Sequence, residues 1–356
     1  MPDNPLIFDG HNDTLLNLHL NEQGGGRSFF VRDDRGHIDL PRALEGGLGG
    51  GFFAMFVPTK RLENGPDAKG SDRPGKAATE EIDFPSSQRY AQEFTDTLIR
   101  LLFDLEKASQ GKVKIVRTTA EVATCLENGV HAAVMHFEGA EVIDLELENL
   151  NGYYDQGLRS LGITWSRSNG FGYGVPFEFD RSPDTGPGLT TAGKHLVKEC
   201  NRLGIMIDLS HLNEKGFWDV ASITESPLVA THSAAYRICP STRNLTDKQI
   251  DAIGESDGII GINFHVGFIR SDGKEDSDTP IDDIVRHAVY VANRIGVDHV
   301  ALGSDFDGAT MPDELGDASG LPKLILALRR GGFNDQEIGK IAHKNWLRVL
   351  DQSWKQ

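Results

Sequence analysis

The stretch GIMIDLSHLNEKGFWDVASITESPLVATHS, residues 204–233, carries one design twice. Each copy is a short apolar run, IMIDL or LVAT, that stops on a histidine, His211 or His232. Strands buried on both faces of a parallel sheet read as such runs. A metal-binding residue type at the end of the run marks the face where a β/α barrel gathers its chemistry, because all its strands point their C-terminal ends the same way. The placement recurs outward along the chain: His11 and Asp13 in LIFDGHND, Glu138 in AAVMHFEG and Asp305 in HVALGSDFDG. These residues are far apart in sequence, and their common position predicts one pocket. Imidazole and carboxylate donors in this number suit zinc or a similar divalent ion.

Strand candidates fall at residues 6–8, 49–57, 114–116, 132–136, 160–164, 206–209, 228–231, 259–263 and 300–303. Helical spacing lies between most of them, at 41–44, 86–109, 191–203, 246–253, 281–295 and 321–329. This many strand–helix units predicts a TIM-like (β/α)8 barrel, one domain over residues 1–356, with its active site at the C-terminal ends of the strands. Residues 114–116 are a candidate for an extra edge strand. An open doubly wound sheet would bind its ligand at a switch point instead, but no Gly-rich dinucleotide fingerprint follows any strand. The polar segment 60–83, rich in Gly, Pro and charge, reads as a mobile loop on the barrel face that would act as a lid.

Composition narrows the partners. With 36 Lys and Arg against 53 Asp and Glu, the formal net charge is −17, which repels nucleic acid and anionic membranes at long range. No apolar run approaches the roughly 20 residues of a membrane span, and the start MPDN lacks the basic and apolar regions of a signal peptide. Cys125, Cys200 and Cys239 are widely separated, without the spacing of a metal knuckle. They read as reduced thiols of a cytoplasmic protein.

Each candidate ligand has an ordinary alternative. His11 and Asp13, two positions apart on an extended strand end, face the same side and can share an ion. Gly10 lets the chain turn near a metal without a clash. Glu138 is carried by its strand toward an apolar layer, where a carboxylate needs a partner; His136, two residues earlier, reads as a satisfied structural histidine, although residue chemistry alone leaves the choice between the two open. Asp208 and Ser210 are candidates for holding the tautomer of His211 from outside the metal shell. Asp305 is nearer its strand than Asp307 and is the better acid/base; solvation of the loop is one of two evenly balanced readings of Asp307. Most other histidines fall in helices or loops, and His265 stands out among them.

The motifs HND, HFEG, DLSH, THSAAYRICPSTRNLTD and GSDFDG, in this order between residue 6 and about residue 310, resemble the membrane (renal) dipeptidase family of zinc metallopeptidases in a bacterial-type, unanchored form. The resemblance implies two zinc ions per chain in a β/α barrel, one bound by His11 and Asp13, the other by His211 and His232, with Glu138 bridging them. It implies that Asp305 is the catalytic aspartate and that Arg243 binds substrate. A hydroxide between the ions would attack the peptide bond, Asp305 would pass its proton to the leaving amine, and the guanidinium of Arg243 would clamp the free carboxylate of a dipeptide. The expected activity is zinc-dependent hydrolysis of small dipeptides, including those with a C-terminal D-residue, and a homodimer is compatible with it.

Two positions depart from the family pattern. Trp165, in ITWSRSN, stands where relatives often carry the histidine of an LTHN motif, and His265, in GINFHVG, stands where some carry tyrosine. Both are expected to meet substrate, and Arg167 is the candidate to replace the missing oxyanion donor. The main rival is another binuclear amidohydrolase acting on an N-acyl amino acid, a lactone or a cyclic amide. Many of those bridge their metals with a modified lysine, where this chain offers Glu138. A non-catalytic metal- or peptide-binding barrel is the second rival, and it would have no need of Asp305.

Overall fold

The computed structural model describes residues 4–22, 26–59 and 84–355, so the expected lid at 60–83 lies outside the described residues. Its strands are β1 (Ile7–Asn12), β2 (Leu48–Phe56), β3 (Val113–Ile115), β4 (His131–Glu138), β5 (Leu158–Gly162), β6 (Met206–Asp208), β7 (Val229–Ser233), β8 (Ile259–Ile262) and β9 (Val300–Leu302). They form one parallel path, β1-β2-β4-β5-β6-β7-β8-β9, with β3 off it and paired to β4. The path closes just beyond β9, where the Asp305 amide donates to the His11 carbonyl at 3.0 Å and the Asp13 amide to the Phe306 carbonyl at 2.8 Å. The result is a nearly closed (β/α)8 barrel. Its supernumerary strand β3 pairs with the first half of β4, and β5 pairs with the second half, from Met135 onward.

Alternation along β4 sorts the two faces. Ala133, Met135 and Phe137 pack outward with the helical layer, while Ala132 and Val134 pack inward with Phe8, Phe52 and Trp346. His136 and Glu138 continue the inward set, so the carboxylate arrives inside the barrel at its C-terminal end. The opposite end is plugged by the C-terminal helix Asn345–Ser353, whose fully buried Trp346 donates from Nε1 to the Leu302 carbonyl at 3.2 Å and packs on Phe52 with ring centroids 5.1 Å apart. A Cβ at Gly10 would lie 2.2 Å from the Thr231 carbonyl oxygen and 2.7 Å from the Trp346 ring. Gly10 therefore serves close packing across the barrel, and the turn beside the metal site expected from the sequence is not what requires it.

The helices expected from periodicity are present at Leu40–Gly46, Phe84–Ala108, Thr191–Leu203, Asp247–Glu255, Asp282–Ile295 and Leu321–Arg330. Local chemistry sets their ends. Thr190 caps Thr191–Leu203 by accepting from the Gly193 amide, and a left-handed Gly204 ends it. Thr246 and Gln249 form a reciprocal capping box on Asp247–Glu255. Helices Thr14–Glu22, Thr119–Asn128, Leu150–Gln156, Glu214–Ile223, Val266–Ile269, Asp335–Gly339 and Asn345–Ser353 are also present without being singled out in the sequence. Among the described residues no helix is long and apolar enough to cross a membrane.

Asp307 does not solvate its loop. It is paired with Arg27 at 3.2 Å, both side chains fully buried, and accepts from the Thr14 hydroxyl at 3.0 Å and from the His37 amide. These contacts tie the loop after β9 to the start of helix Thr14–Glu22 and to the stretch that leads into helix Leu40–Gly46.

Candidate metal centre

The five expected ligands and Asp305 come together at the C-terminal mouth. His11 lies in β1 and Asp13 just beyond it, Glu138 ends β4, and His232 lies in β7. His211 and Asp305 each stand three residues past a strand, in left-handed backbone with φ of 66° and 62°. That conformation is uncommon for residues with a Cβ and is typically found where function fixes a side chain's aim. Nε2 of His11 is 3.4 Å from Asp13 Oδ2 and 3.7 Å from Glu138 Oε2. On the other side, Glu138 Oε1 is 3.0 Å from His211 Nε2 and 3.9 Å from His232 Nε2. Ligand atoms of His11, Asp13 and Glu138 lie within 4.8 Å of one another, as do those of Glu138, His211 and His232, and those of His11, His232 and Asp305. One carboxylate thus faces both groups.

Hydrogen bonds aim the imidazoles, through residues that differ from those expected. Ser166 Oγ holds His211 Nδ1 at 2.7 Å. Asp208 and Ser210 serve His232 instead of His211. Asp208 accepts from the Thr231 hydroxyl at 2.6 Å, Thr231 Oγ1 meets His232 Nδ1 at 2.8 Å, and Ser210 Oγ accepts from the His232 amide at 3.1 Å. His136 is bonded through Nδ1 to Ser160 Oγ at 2.9 Å, but its buried Nε2 has no hydrogen-bond partner and lies 3.7 Å from Asp208 Oδ2, so it is not the fully satisfied histidine expected. Asp305 Oδ2 accepts from Asn263 Nδ2 at 2.9 Å, which leaves Oδ1 for other work. A Cβ at Gly308 would lie 2.1 Å from Asp13 Oδ2 and 2.9 Å from Asp305 Oδ1, so only glycine lets that turn approach the cluster. Sequence reading missed Ser166, Thr231 and Asn263. The available signal was a hydroxyl beside the candidate ligand His232 and beside Trp165.

Burial dominates the electrostatics of the cluster. Burial pushes Glu138 well above the ordinary carboxylate range, against the pull of His11, and pushes His211 and His232 well below the ordinary histidine range, with Arg243 and His11 adding to the effect. His11 goes the other way: burial opposes its charge, yet Glu138, Asp13 and Asp305 together raise it to about 10. Neither ring nitrogen of His11 has a hydrogen-bond partner, although the side chain is fully buried. A buried, unpartnered donor atom facing carboxylates is the environment of a metal ligand. The donor set fits a divalent metal, with Glu138 common to two of the groups.

The remaining candidates line one wall. Arg243 is buried, donates from Nη1 to Ser233 Oγ at 3.0 Å and from Nη2 to the His232 carbonyl at 2.8 Å, and its Nε has no partner. Its charge lies 5.7 Å from the Phe268 ring centroid. His265 contacts the same ring and binds Glu275 Oε1 at 2.9 Å, a bond that helps raise its pKa against the effect of burial. Trp165 packs between Phe56, Phe177 and His211, with centroids 5.0, 5.5 and 5.9 Å away. Arg167 sits over Phe56 and Trp165, with Nε committed to Glu141 at 3.0 Å and Nη2 to the Val57 carbonyl.

Comparison with known proteins gives a consistent result. A family model described as "Membrane dipeptidase (Peptidase family M19)" matches residues 3–355. An uncharacterised Klebsiella pneumoniae protein encoded in the pqqA 5′ region is 50% identical over 258 residues, 72% of this chain and 95% of that protein. Dipeptidase tcpJ of Claviceps purpurea is 28% identical over 352 residues, 96% of this chain and 76% of that protein. The crystal structure of a family M19 metallopeptidase, dipeptidase AC, superposes with a TM-score of 0.90 at 44% identity over 99% of each chain. A metallopeptidase from Rhodobacter sphaeroides, liganded with a phosphinate mimic of the dipeptide L-Ala-D-Ala, superposes with a TM-score of 0.88 at 43% identity over 99% of this chain and 100% of that one.

Proposed function

The chain belongs to the membrane dipeptidase family of metallopeptidases, peptidase family M19, and we propose that it cleaves dipeptides, including those with a C-terminal D-residue, at a binuclear zinc centre. His11, Asp13 and Glu138 would hold one ion, and Glu138, His211 and His232 the other. The observation that carries this reading is the position of Glu138, with Oε2 toward His11 and Oε1 toward His211 and His232. Two divalent ions there would supply a water acidified toward neutral pH and a Lewis acid for the scissile carbonyl.

The protein's own groups do the rest. Asp305, oriented through Oδ2 by Asn263, receives the proton of the attacking water at Oδ1 and delivers it to the departing amine. Arg243, held rigidly against β7, offers its remaining N–H groups to the substrate's terminal carboxylate. Trp165, with Phe56 and Phe177 around it, gives the dipeptide an apolar wall beside His211, and His265 contributes at the Arg243 end. The L-Ala-D-Ala mimic bound by the Rhodobacter sphaeroides relative supports a dipeptide with a C-terminal D-residue. Cys125, Cys200 and Cys239 are buried and unpaired, which suits a reducing compartment such as the cytoplasm.

Elemental analysis and a panel of L,L- and L,D-dipeptides test the reading. Wild-type protein should carry about two divalent ions per chain, as a shared-metal hydrolase requires, and hydrolyse part of the panel. Glu138→Ala should hold one ion or none and lose hydrolysis while its circular dichroism stays that of the wild type. An active Glu138→Ala protein with full metal occupancy would overturn the bridging role.

A further inference from the structure

Thr231 has a use beyond strand pairing. Its hydroxyl donates to Asp208 Oδ2 at 2.6 Å and faces His232 Nδ1 at 2.8 Å. Having spent its hydrogen on the carboxylate, Thr231 Oγ1 meets His232 as an acceptor, so the imidazole hydrogen is on Nδ1 and Nε2 presents a lone pair to the cluster. Asp208 cannot exchange its two oxygens. Oδ1 accepts from the backbone amides of Ser210 at 3.0 Å and Thr231 at 2.8 Å, which leaves Oδ2 for the hydroxyl. All four residues are buried, where no water competes for these bonds. His211 has only the hydroxyl of Ser166 on its Nδ1, and His11 has no hydrogen-bond partner, only the Asp13 and Glu138 carboxylates at 3.4 and 3.7 Å from Nε2.

We propose that Asp208 and Thr231 are positioning residues forming a one-way relay that sets the tautomer of His232 and thereby the affinity of the metal position it serves. The proposal rests on the reading of His232 as a ligand. Outer partners of metal-bound histidines typically contribute on the order of 10–100-fold in metal affinity.

The relay predicts an inversion as well as a loss. In Asp208→Asn the two backbone amides keep the side-chain oxygen at the Oδ1 position, and the new NH2 donates to Thr231 Oγ1. The Thr231 hydrogen then turns to His232 Nδ1 and the ring hydrogen moves to Nε2, where it blocks the lone pair. Metal affinity is read by competition with a chromophoric chelator, and the tautomer by long-range nitrogen–proton NMR of metal-free protein labelled at histidine. Asp208→Asn should bind one of the ions 10–100-fold more weakly and show protonated Nε2 on His232. Thr231→Val should also weaken that ion, and Thr231→Ser should restore it, whereas a purely structural role would make affinity follow the melting temperature of the metal-free variants. Wild-type affinity in a folded Asp208→Asn or in Thr231→Val would overturn the relay, and if Asp208→Asn does not fold, the threonine pair decides. Absence of metal from the wild type would instead overturn the underlying assignment of the site.

Discussion

The Nε2 atoms of His211 and His232 lie 2.9 Å apart, with Glu138 Oε1 3.0 Å from the first. At that separation two ring lone pairs repel unless a proton or a cation sits between them. A divalent ion held here by His211, His232 and Glu138 would take the place of that proton and would tie three strand ends together. Removing it with a chelator should lower the melting temperature by roughly 5 °C, the effect of ligand present at about a thousand times its Kd on a chain of this size. Zinc added back should restore the value in a thermal shift assay, and an unchanged melting temperature would contradict the assignment.

Asp305→Asn keeps the shape and the Asn263 contact while removing the proton acceptor. We expect kcat to fall by a factor on the order of 10²–10⁴ with metal content close to wild type. Stopped-time assays beside elemental analysis of the same preparation check this. Loss of metal together with activity would place Asp305 among the ligands.

Arg243→Ala should raise KM for dipeptides with a free C-terminal carboxylate by on the order of 10–100-fold, the loss of a charge-assisted pair. C-terminally amidated dipeptides should lose much less. The ratio of kcat/KM between the two forms is the measurement, because a general disturbance of β7 would lower both equally.

His287 makes stability depend on pH away from the site. It is fully buried, accepts from the Ala235 amide and bonds the Ile269 carbonyl, each at 3.0 Å, and burial lowers its pKa from 6.5 to about 4. Between those values the unfolded chain binds the extra proton, so the stabilisation is complete above pH 6.5 and is lost as pH falls toward 4. From pH 7 to pH 5 the loss should be about 2 kcal/mol. His287→Gln keeps a donor and an acceptor without titrating. Urea unfolding of the metal-free proteins at both pH values should show that much less pH dependence in the variant, and equal slopes would refute it.

The sequence alone was enough to predict the barrel and to single out the residues that meet at its mouth, for a physical reason. Parallel strands are buried on both faces and read as apolar runs, and a charged or imidazole side chain at their ends interrupts the pattern visibly. His11, Asp13, Glu138, His211, His232 and Asp305 all carry that signal, and the motif order around them carries the family resemblance. The short helix Leu150–Gln156, by contrast, has too few turns to display a period, and it went unmarked.

Tertiary structure alone decided what each group leans on. Nothing local distinguishes Asp208 as the support of His232 from Asp208 as the support of His211, because the choice depends on β6 lying beside β7 and on which oxygen the backbone amides occupy. Asp307 looked like a loop residue until folding brought it to Arg27, 280 positions away, and Gly10 looked like a hinge until Trp346 was packed against it. Hydrogen-bond partners and packing neighbours are set by distances across the barrel, which a linear pattern does not encode. The identity of a ligand is written in its own side chain, but its aim is fixed by residues that only the closed sheet brings near.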